Sequence, residues 1–215
     1  MTAVEALFAD GGTRLRADAR RNAERLVAAA RAALDDKGLD ITARDVANRA
    51  GVGLGTLYRR VPSLNALLAA ILIDTLTEMT ELATRARQEP DPWTAFAGFA
   101  EAYVQLRASS CGLHAALSGA DADPLDLALH IDRLREEVRH LVEDVQAAGA
   151  VRDDLDWRDV PFLLATAIPA DRTIGLTARP DQWRRNLAVI LDGLRPLDIG
   201  QASTRTPYLP DLADY

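Results

Sequence analysis

The sequence predicts an all-α protein of about nine helices, with a small three-helix head followed by a larger helical body. Apolar residues recur at helical spacing from about residue 18 onward, and no segment has the alternating pattern of a convincing strand. Charge divides at a similar place: residues 14–62 carry eleven Lys and Arg against six Asp and Glu, whereas residues 63–215 carry fourteen against twenty-four. A basic head on an acidic body is expected when only one end of a protein meets a polyanion.

The composition is that of a globular chain with a sizeable core. The 215 residues are 48% hydrophobic and 27% charged, and no apolar stretch is long enough for a membrane span. The N-terminus lacks the pattern of a secretory signal, and the single Cys111 cannot form an internal disulfide. We therefore expect a cytoplasmic protein. Cys111 is open to two interpretations, a redox sensor or a small half-buried residue.

The predicted elements follow from periodicity and from the residues that end helices. A first helix at about 18–37 stops at Gly38, which adopts the left-handed conformation at low cost. Two short helices come next, and a long one opens with Ser63 as N-cap. The later helices are predicted at about 93–109, 112–118, 124–148, 157–175 with a kink at Pro169, and 180–195. The predicted domains are a flexible arm at 1–17, a head at 18–62, a body at 63–195 and a loose tail at 196–215.

The segment ITARDVANRAGVGLGTLYRRVP at 41–62 predicts a helix-turn-helix. Thr42 is a good N-cap, and Asp45 three residues later can complete a capping box. Gly51 supplies the sharp turn, and Leu57 is expected to point inward from the second short helix. The other residues of that second helix are then free to face DNA.

The pattern T-x-R-D-V-A-x-R-A-G-V-x-x-G-T-L-Y-R-R-x-P, followed by S-x-x-A-L-L, resembles the TetR family of repressors. The stretches GVGLGTLYRRVP and ADARRNAERLVAAA are similar to its SbtR-like branch. The resemblance implies a homodimer that binds a palindromic double-stranded DNA operator and responds to a small-molecule effector. The chain departs from the family at Leu64, where a phosphate-binding Lys is frequent, and at Val61, which replaces an aromatic residue.

Side-chain chemistry and the resemblance together assign the DNA contacts. Arg44 is placed to donate two hydrogen bonds to a guanine edge. The tip of the second helix is expected on the floor of the major groove, and Tyr58 resembles the family's phosphate-binding tyrosine. The arginines at 14, 16, 20 and 21 are expected near the DNA backbone or minor groove. The alternative is that these cations only solvate a surface. The predicted DNA-binding residues are Thr42, Arg44, Gly53, Leu54, Gly55, Thr56, Tyr58, Arg59 and Arg60.

The body is expected to hold an effector pocket and a dimer interface, as the resemblance implies. The candidate pocket residues are Trp93, Phe96, Phe99, Tyr103, His114, His130, Phe162 and Thr166. The alternative, which each aromatic residue taken singly favours, is that these aromatics belong simply to the core. The predicted interface residues are Trp183, Leu187, Ile190, Leu191 and Leu194. Cys111 and His114 could contribute to a soft-metal site, but no second close pair completes a four-ligand set, and no nucleophile has a recognisable partner. No enzyme activity, metal or cofactor is therefore expected. Two alternatives remain: a DNA-binding regulator without an effector, and a small-molecule binding protein with a vestigial head.

Overall fold

The computed structural model describes residues 1–8, 17–108 and 125–196. Within these ranges the chain forms nine helices and one two-stranded hairpin, so the all-α prediction is confirmed apart from that hairpin. The helices are α1 (Ala3–Phe8), α2 (Ala17–Lys37), α3 (Ala43–Ala50), α4 (Leu54–Tyr58), α5 (Leu64–Ala86), α6 (Pro92–Ala108), α7 (Ala128–Ala147), α8 (Asp159–Ala165) and α9 (Gln182–Leu194). The strands are β1 (Arg172–Thr173) and β2 (Leu176–Thr177).

The head consists of α2, α3 and α4 around a small apolar core. α2 buries Leu26, Ala30 and Leu34, which recur at spacings of four and therefore lie on one face. The helix ends at Lys37 because Gly38 adopts φ 62° and donates its amide to the carbonyl of Leu34 at 2.9 Å. The predicted glycine cap is confirmed.

The long helix α5 connects the head to the body. The hydroxyl of its N-cap Ser63 accepts a hydrogen bond from the amide of Ala66 at 3.0 Å, as predicted from the sequence. α5 contacts α2 in the head and packs most extensively against α7 in the body. Leu72, Leu76 and Met79 are fully buried on it, each contributing roughly 1.5–3 kcal/mol of transfer free energy.

The N-terminal residues differ from the expected flexible arm at 1–17, because Ala3–Phe8 forms α1. Thr2 and Glu5 make a capping box: the Glu5 amide donates to the Thr2 hydroxyl at 3.0 Å, and the Thr2 amide donates to the Glu5 carboxylate at 2.9 Å. Phe8 is buried, and α1 packs against α5. A six-residue helix is too short for periodicity to identify, so docking on α5 decides its structure.

The expected helix at 157–175 is also shorter in the structure. α8 ends at Ala165, and Pro169 lies beyond its end instead of kinking it, since proline disrupts continued helix. The chain then turns through β1 and β2, with Arg172 opposite Thr177. Ile174 and Gly175 both have positive φ at the turn, of 41° and 83°. Positive φ at both central residues is the requirement of a two-residue type I′ hairpin.

Several sequence-based predictions lie outside the described residues. These are Cys111, His114, Arg14, Arg16, the short helix at 112–118 and nearly all of the tail. In the described ranges no helix combines the length and apolar character that a membrane crossing requires.

Candidate DNA-binding site

The first helix of the predicted motif, α3, begins with a complete capping box. The Asp45 amide donates to the Thr42 hydroxyl at 3.2 Å, and the Thr42 amide donates to Asp45 Oδ2 at 2.9 Å. The Thr42 hydroxyl also donates to Asp45 Oδ2 at 2.7 Å. Although Thr42 is exposed, its amide and its hydroxyl are both hydrogen-bonded to Asp45 and cap the start of α3.

The carboxylate of Asp45 is held in its charged form by these contacts. Lys37 Nζ lies 2.9 Å from Asp45 Oδ1, and this hydrogen bond is the largest cause of a strongly lowered pKa for Asp45. The hydrogen bonds from Thr42 lower the pKa further. Lys37 is the last residue of α2, so the pair fixes the end of α2 to the start of α3.

The turn between α3 and α4 depends on Gly51. Its backbone is left-handed, with φ 66°, and its amide donates to the carbonyls of Ala47 and Asn48. The amide of Val52 donates to the Ala47 carbonyl at 3.0 Å, which completes a Schellman-type end to α3. Val46, Ala47 and Ala50 are buried, as predicted, and hold α3 against the head core.

The second helix, α4, buries one side chain and exposes its remaining surface. Leu57 is 0% exposed, whereas Leu54 is 37% and Tyr58 is 54% exposed. Thr56 is half-buried, and its hydroxyl accepts a hydrogen bond from Arg59 Nη2 at 3.2 Å. Since Leu57 fixes the helix from below, the predicted base-reading tip projects into solvent.

The glycines of this tip have open space around them. A Cβ atom added at Gly53 or Gly55 would meet no atom of the protein within 4 Å. Both residues are exposed, and neither has positive φ. Internal packing and backbone strain therefore do not require glycine at either position.

Cationic side chains lie on both helices of the motif. Arg44 is exposed on the first turn of α3, Arg59 is exposed just beyond α4, and Arg60 is half-buried. The head thus presents apolar and small residues at the tip of α4 with arginine and tyrosine beside them. That arrangement fits base contacts in a groove flanked by phosphate contacts.

The structure brings together four of the eight predicted pocket residues. Trp93, Phe96, Phe99 and Tyr103 lie along α6, with ring centroids 6.1 Å apart for Trp93 and Phe96 and 5.7 Å apart for Phe99 and Tyr103. The last three are buried in the body, and Trp93 is half-buried.

The other predicted pocket residues lie elsewhere. Phe162 is 76% exposed and Thr166 is also exposed, so neither faces the aromatic cluster. His130 instead lines an open cleft of about 660 Å³ beside α1 and α5. His114 is outside the described residues.

The predicted interface residues of α9 also divide between the core and the surface. Leu187 and Leu194 are buried within the protomer and hold α9 against the body. Trp183, Ile190 and Leu191 are half-buried. The most exposed large apolar side chain on α9 is Val189, at 73%, which the apolar stripe in the sequence did not include.

Three polar residues outside the predicted sets organise the structure. Arg25 Nη2 donates to the carbonyl of Ala50 at 2.6 Å, and the Asp74 carboxylate accepts hydrogen bonds from the first two amides of α1. Arg107 is the buried charged residue of the described body, and its Nη1 donates to the Tyr103 hydroxyl at 3.3 Å. Arg25 and Asp74 have no local signal in the sequence, because the groups that they bond, in Ala50 and α1, lie far away along the chain. Arg107 has none either, since the burial of one arginine does not alter the apolar periodicity of an amphipathic helix.

Comparison with known proteins agrees with this geometry. The family model described as "Bacterial regulatory proteins, tetR family" matches residues 26–71, and "Transcriptional regulator SbtR-like, C-terminal domain" matches residues 91–196. No curated protein sequence matches the chain.

Solved structures share the fold over most of the chain. A TetR regulatory protein from Mycobacterium vanbaalenii is 30% identical, with TM-score 0.55, over 85% of this chain and 99% of that one. A TetR regulator from Streptomyces coelicolor is 27% identical, with TM-score 0.56, over 80% and 98%. FadR from Bacillus subtilis, crystallised with stearoyl-CoA, is 13% identical, with TM-score 0.57, over 80% and 99%.

Proposed function

Because the chain belongs to the TetR family of transcriptional regulators, we propose that it is a homodimeric repressor that a small-molecule effector releases from a palindromic operator. The observation that carries the proposal is the surface of α4. Leu57 anchors this helix, while Leu54, Gly55 and Tyr58 project from the head. A short exposed helix after a glycine turn is the element that a helix-turn-helix protein places in the major groove.

The residues of the head divide between base and backbone contacts in this proposal. Arg44 binds a guanine edge, and Leu54 and the Thr56 methyl group contact thymine methyls. Tyr58, Arg59 and Arg60 bind phosphates, together with the free amides at the start of α4 near Gly53. Arg59 exchanges its hydrogen bond with Thr56 for a phosphate when DNA is bound, which frees the threonine hydroxyl for the groove.

We place the dimer interface on the outer faces of α8 and α9. Phe162 on α8 and Val189 on α9 are 76% and 73% exposed, so both apolar side chains are available to a partner subunit. Leu187 and Leu194 support α9 from within the protomer instead of meeting the partner. A symmetric pair of heads reads two half-sites, which one five-residue helix cannot do alone.

The effector site belongs in the body, beside the aromatic side chains of α6. Phe96, Phe99 and Tyr103 supply an apolar wall, and the buried guanidinium of Arg107 supplies a polar anchor. The stearoyl-CoA of the FadR structure belongs to that protein, and its 13% identity shows a shared fold alone. An effector releases the operator by binding the DNA-free arrangement more tightly than the DNA-bound one. Since DNA is its proposed target, we infer that the protein acts in the cytoplasm.

Selection from a random duplex library tests the DNA-binding part of this proposal. Full-length wild-type protein should enrich an inverted repeat whose half-site centres lie about 10 base pairs, or a multiple of that, apart. Arg44→Ala should enrich a site relaxed at one position of each half-site. A library that stays random after selection would overturn the proposal.

Thermal unfolding tests the effector. A compound that binds the folded protein raises its melting temperature, and the effector among such compounds should also release the selected duplex, because it binds the DNA-free arrangement more tightly than the DNA-bound one. Compounds that stabilise the free protein and leave the complex intact would instead support a regulator without effector release.

A further inference from the structure

The guanidinium of Arg25 connects α2 to the last turn of α3. Its Nη2 atom donates to the carbonyl of Ala50 at 2.6 Å, across 25 positions of sequence. Ala50 is the last residue of α3, and the final carbonyls of a helix have no partner within it. Arg25 satisfies one of these carbonyls, and its positive charge lies at the negative end of the α3 dipole.

The turn itself is built closely around this guanidinium. The amides of Gly51 and Val52 bond to the carbonyls of Ala47 and Asn48, so the Ala50 carbonyl is left to a side chain. A Cβ atom at Gly51 would lie 3.1 Å from Arg25 Nη2, closer than most real contacts. Glycine at the turn thus serves both the left-handed backbone and the approach of Arg25.

A second arginine also joins the last turn of α3 to α2, and here the arginine lies on α3 and its partners lie on α2. Arg49 Nη2 donates to Asp36 at 2.5 Å, and its Nη1 donates to the carbonyl of Ala32 at 3.3 Å. The end of α3 is therefore tied to α2 on both sides of a groove of about 420 Å³. These hydrogen bonds of Arg25 and Arg49 fix the point at which the chain leaves α3.

We propose that Arg25 is a positioning residue for the recognition helix α4, acting through the Ala50–Gly51 turn. α4 has five residues, its N-cap Gly53 gives no side-chain hydrogen bond, and one of its side chains, Leu57, is buried. Its direction consequently depends on the turn before it. The inference rests on the proposed DNA-binding function of α4, because a base contact is lost when a side chain moves by about the length of a bond.

Direct phosphate binding by Arg25 is the competing explanation, since the residue as a whole is exposed. The two roles have different consequences. Loss of one phosphate contact in each subunit of the proposed dimer weakens binding to all sequences and lowers the salt slope by about 1.8, which is about 0.9 for each contact. A displaced recognition helix weakens binding to the preferred sequence and leaves the number of phosphate contacts unchanged.

The experiment compares four full-length proteins: wild type, Arg25→Ala, Arg25→Lys and Arg31→Ala. Arg31→Ala is the matched control, because it removes the same charge from an exposed position of α2. The probes are a duplex selected by wild type from a random library and the same base pairs in permuted order. Fluorescence anisotropy measures both affinities from 50 to 300 mM KCl, roughly the range in which phosphate contacts dominate the salt response. Amide hydrogen exchange across residues 51–57 is measured without DNA.

We expect Arg25→Ala to lose about tenfold in affinity for the selected duplex and less for the permuted one, with the wild-type salt slope. Exchange at the turn amides should accelerate, Arg25→Lys should recover part of both effects, and Arg31→Ala should match wild type. If Arg25→Ala unfolds the head, Arg25→Met keeps the aliphatic contacts and gives the same comparison.

A uniform loss on both duplexes with a lower slope would make Arg25 a phosphate contact and overturn the proposal. Unchanged exchange at residues 51–57 would overturn it as well, independently of DNA. Failure of wild type to prefer its selected duplex would instead contradict the proposed function, while the exchange measurement still tests the role of Arg25 at the turn.

Discussion

Gly55 lies within the short helix α4, where glycine is an unfavourable residue. Glycine inside a helix costs about 0.5–1 kcal/mol relative to alanine. At Gly55 the protein has room for a Cβ atom, and the backbone does not need glycine. Its small size fits the proposed contact of α4 with the floor of a DNA groove, which a larger side chain would obstruct.

Gly55→Ala should separate stability from DNA binding. We expect the free energy of unfolding to stay equal or rise by up to about 1 kcal/mol, because alanine favours the helix. Affinity for the selected duplex should fall, since the new methyl group enters the interface. Denaturant unfolding and anisotropy check the two effects. Retained affinity together with raised stability would remove Gly55 from the DNA contact surface.

Residues with local partners were predictable from the sequence, whereas those with distant partners were not. Thr42 and Asp45 lie three positions apart, and Gly38 and Gly51 follow periodic helices, so cap chemistry identified all four. Arg25 bonds to a carbonyl 25 positions away, and nothing in its local pattern distinguishes it from the other arginines of α2.

At the scale of elements, the Lys37–Asp45 pair between α2 and α3 should make the free energy of unfolding depend on pH in the acidic range. Lys37, then Thr42, lower the pKa of Asp45 in the folded protein. A lowered folded-state pKa stabilises the fold above the unfolded value of about 3.9, and this stability is lost as the pH falls below it.

We therefore expect the free energy of unfolding of wild type to fall more steeply than that of Asp45→Asn between about pH 4.5 and pH 2.5. Urea unfolding across that range measures the difference. Asp40→Asn, which replaces a nearby exposed carboxyl, is the control and should retain the wild-type steepness. Parallel curves for wild type and Asp45→Asn would contradict the assigned role of the Lys37–Asp45 pair.

α1 is held by the side chain of Asp74 on α5. The Ala3 amide donates to Asp74 Oδ1 at 2.5 Å, and the Val4 amide donates to Oδ2 at 3.2 Å. The carboxylate therefore supplies partners for the free amides at the start of α1, in a half-buried position where charge-assisted bonds are strengthened.

Asp74→Ala should release α1 and lower the free energy of unfolding by about 1–3 kcal/mol. Amide exchange at residues 3–8 should become fast in the folded protein. Glu78→Ala is the matched control, one turn along α5 and exposed. Protected amides in Asp74→Ala would show that the apolar contacts of Phe8 suffice to dock the helix.

The elements missed from the sequence are short ones. α1 has six residues and each strand of the hairpin has two, below the length at which periodicity carries information. The long helices were predictable to within a few residues, because α2, α5 and α7 each bury a regular apolar face. Pro169 was recognised as a disruption, but whether it kinks or follows a helix depends on the packing around it.

At the scale of the whole molecule, α8 and α9 each carry one largely exposed apolar side chain, Phe162 and Val189, and we place the proposed dimer interface there. Burial of such side chains in a stable dimer requires an interface of about 800 Å² per partner. The sequence stripe on α9 identified the helix, yet it could not distinguish the side facing the protomer core from the side facing a partner. Leu187 and Leu194 proved to face the core.

Phe162→Glu should weaken the dimer by about tenfold or more, because it places a charge in an apolar interface. Sedimentation across a dilution series should show a dimer dissociation constant at least about tenfold higher than that of wild type, and affinity for the palindromic duplex should fall with the dimer. Leu129→Glu is the matched control, since Leu129 is 60% exposed on α7. A dimer unaffected by Phe162→Glu would place the interface elsewhere.

The salt dependence of operator binding tests the account most directly. Full-length wild type is titrated onto its selected palindrome and onto the permuted duplex across a range of KCl concentrations. We expect the protein to bind the palindrome at least about 10³-fold more tightly than the permuted duplex at physiological salt, and its affinity for the palindrome should fall steeply as the salt concentration rises. Equal, weak affinities for both duplexes that hardly change with salt would contradict the assignment of α3 and α4 as a DNA-binding head.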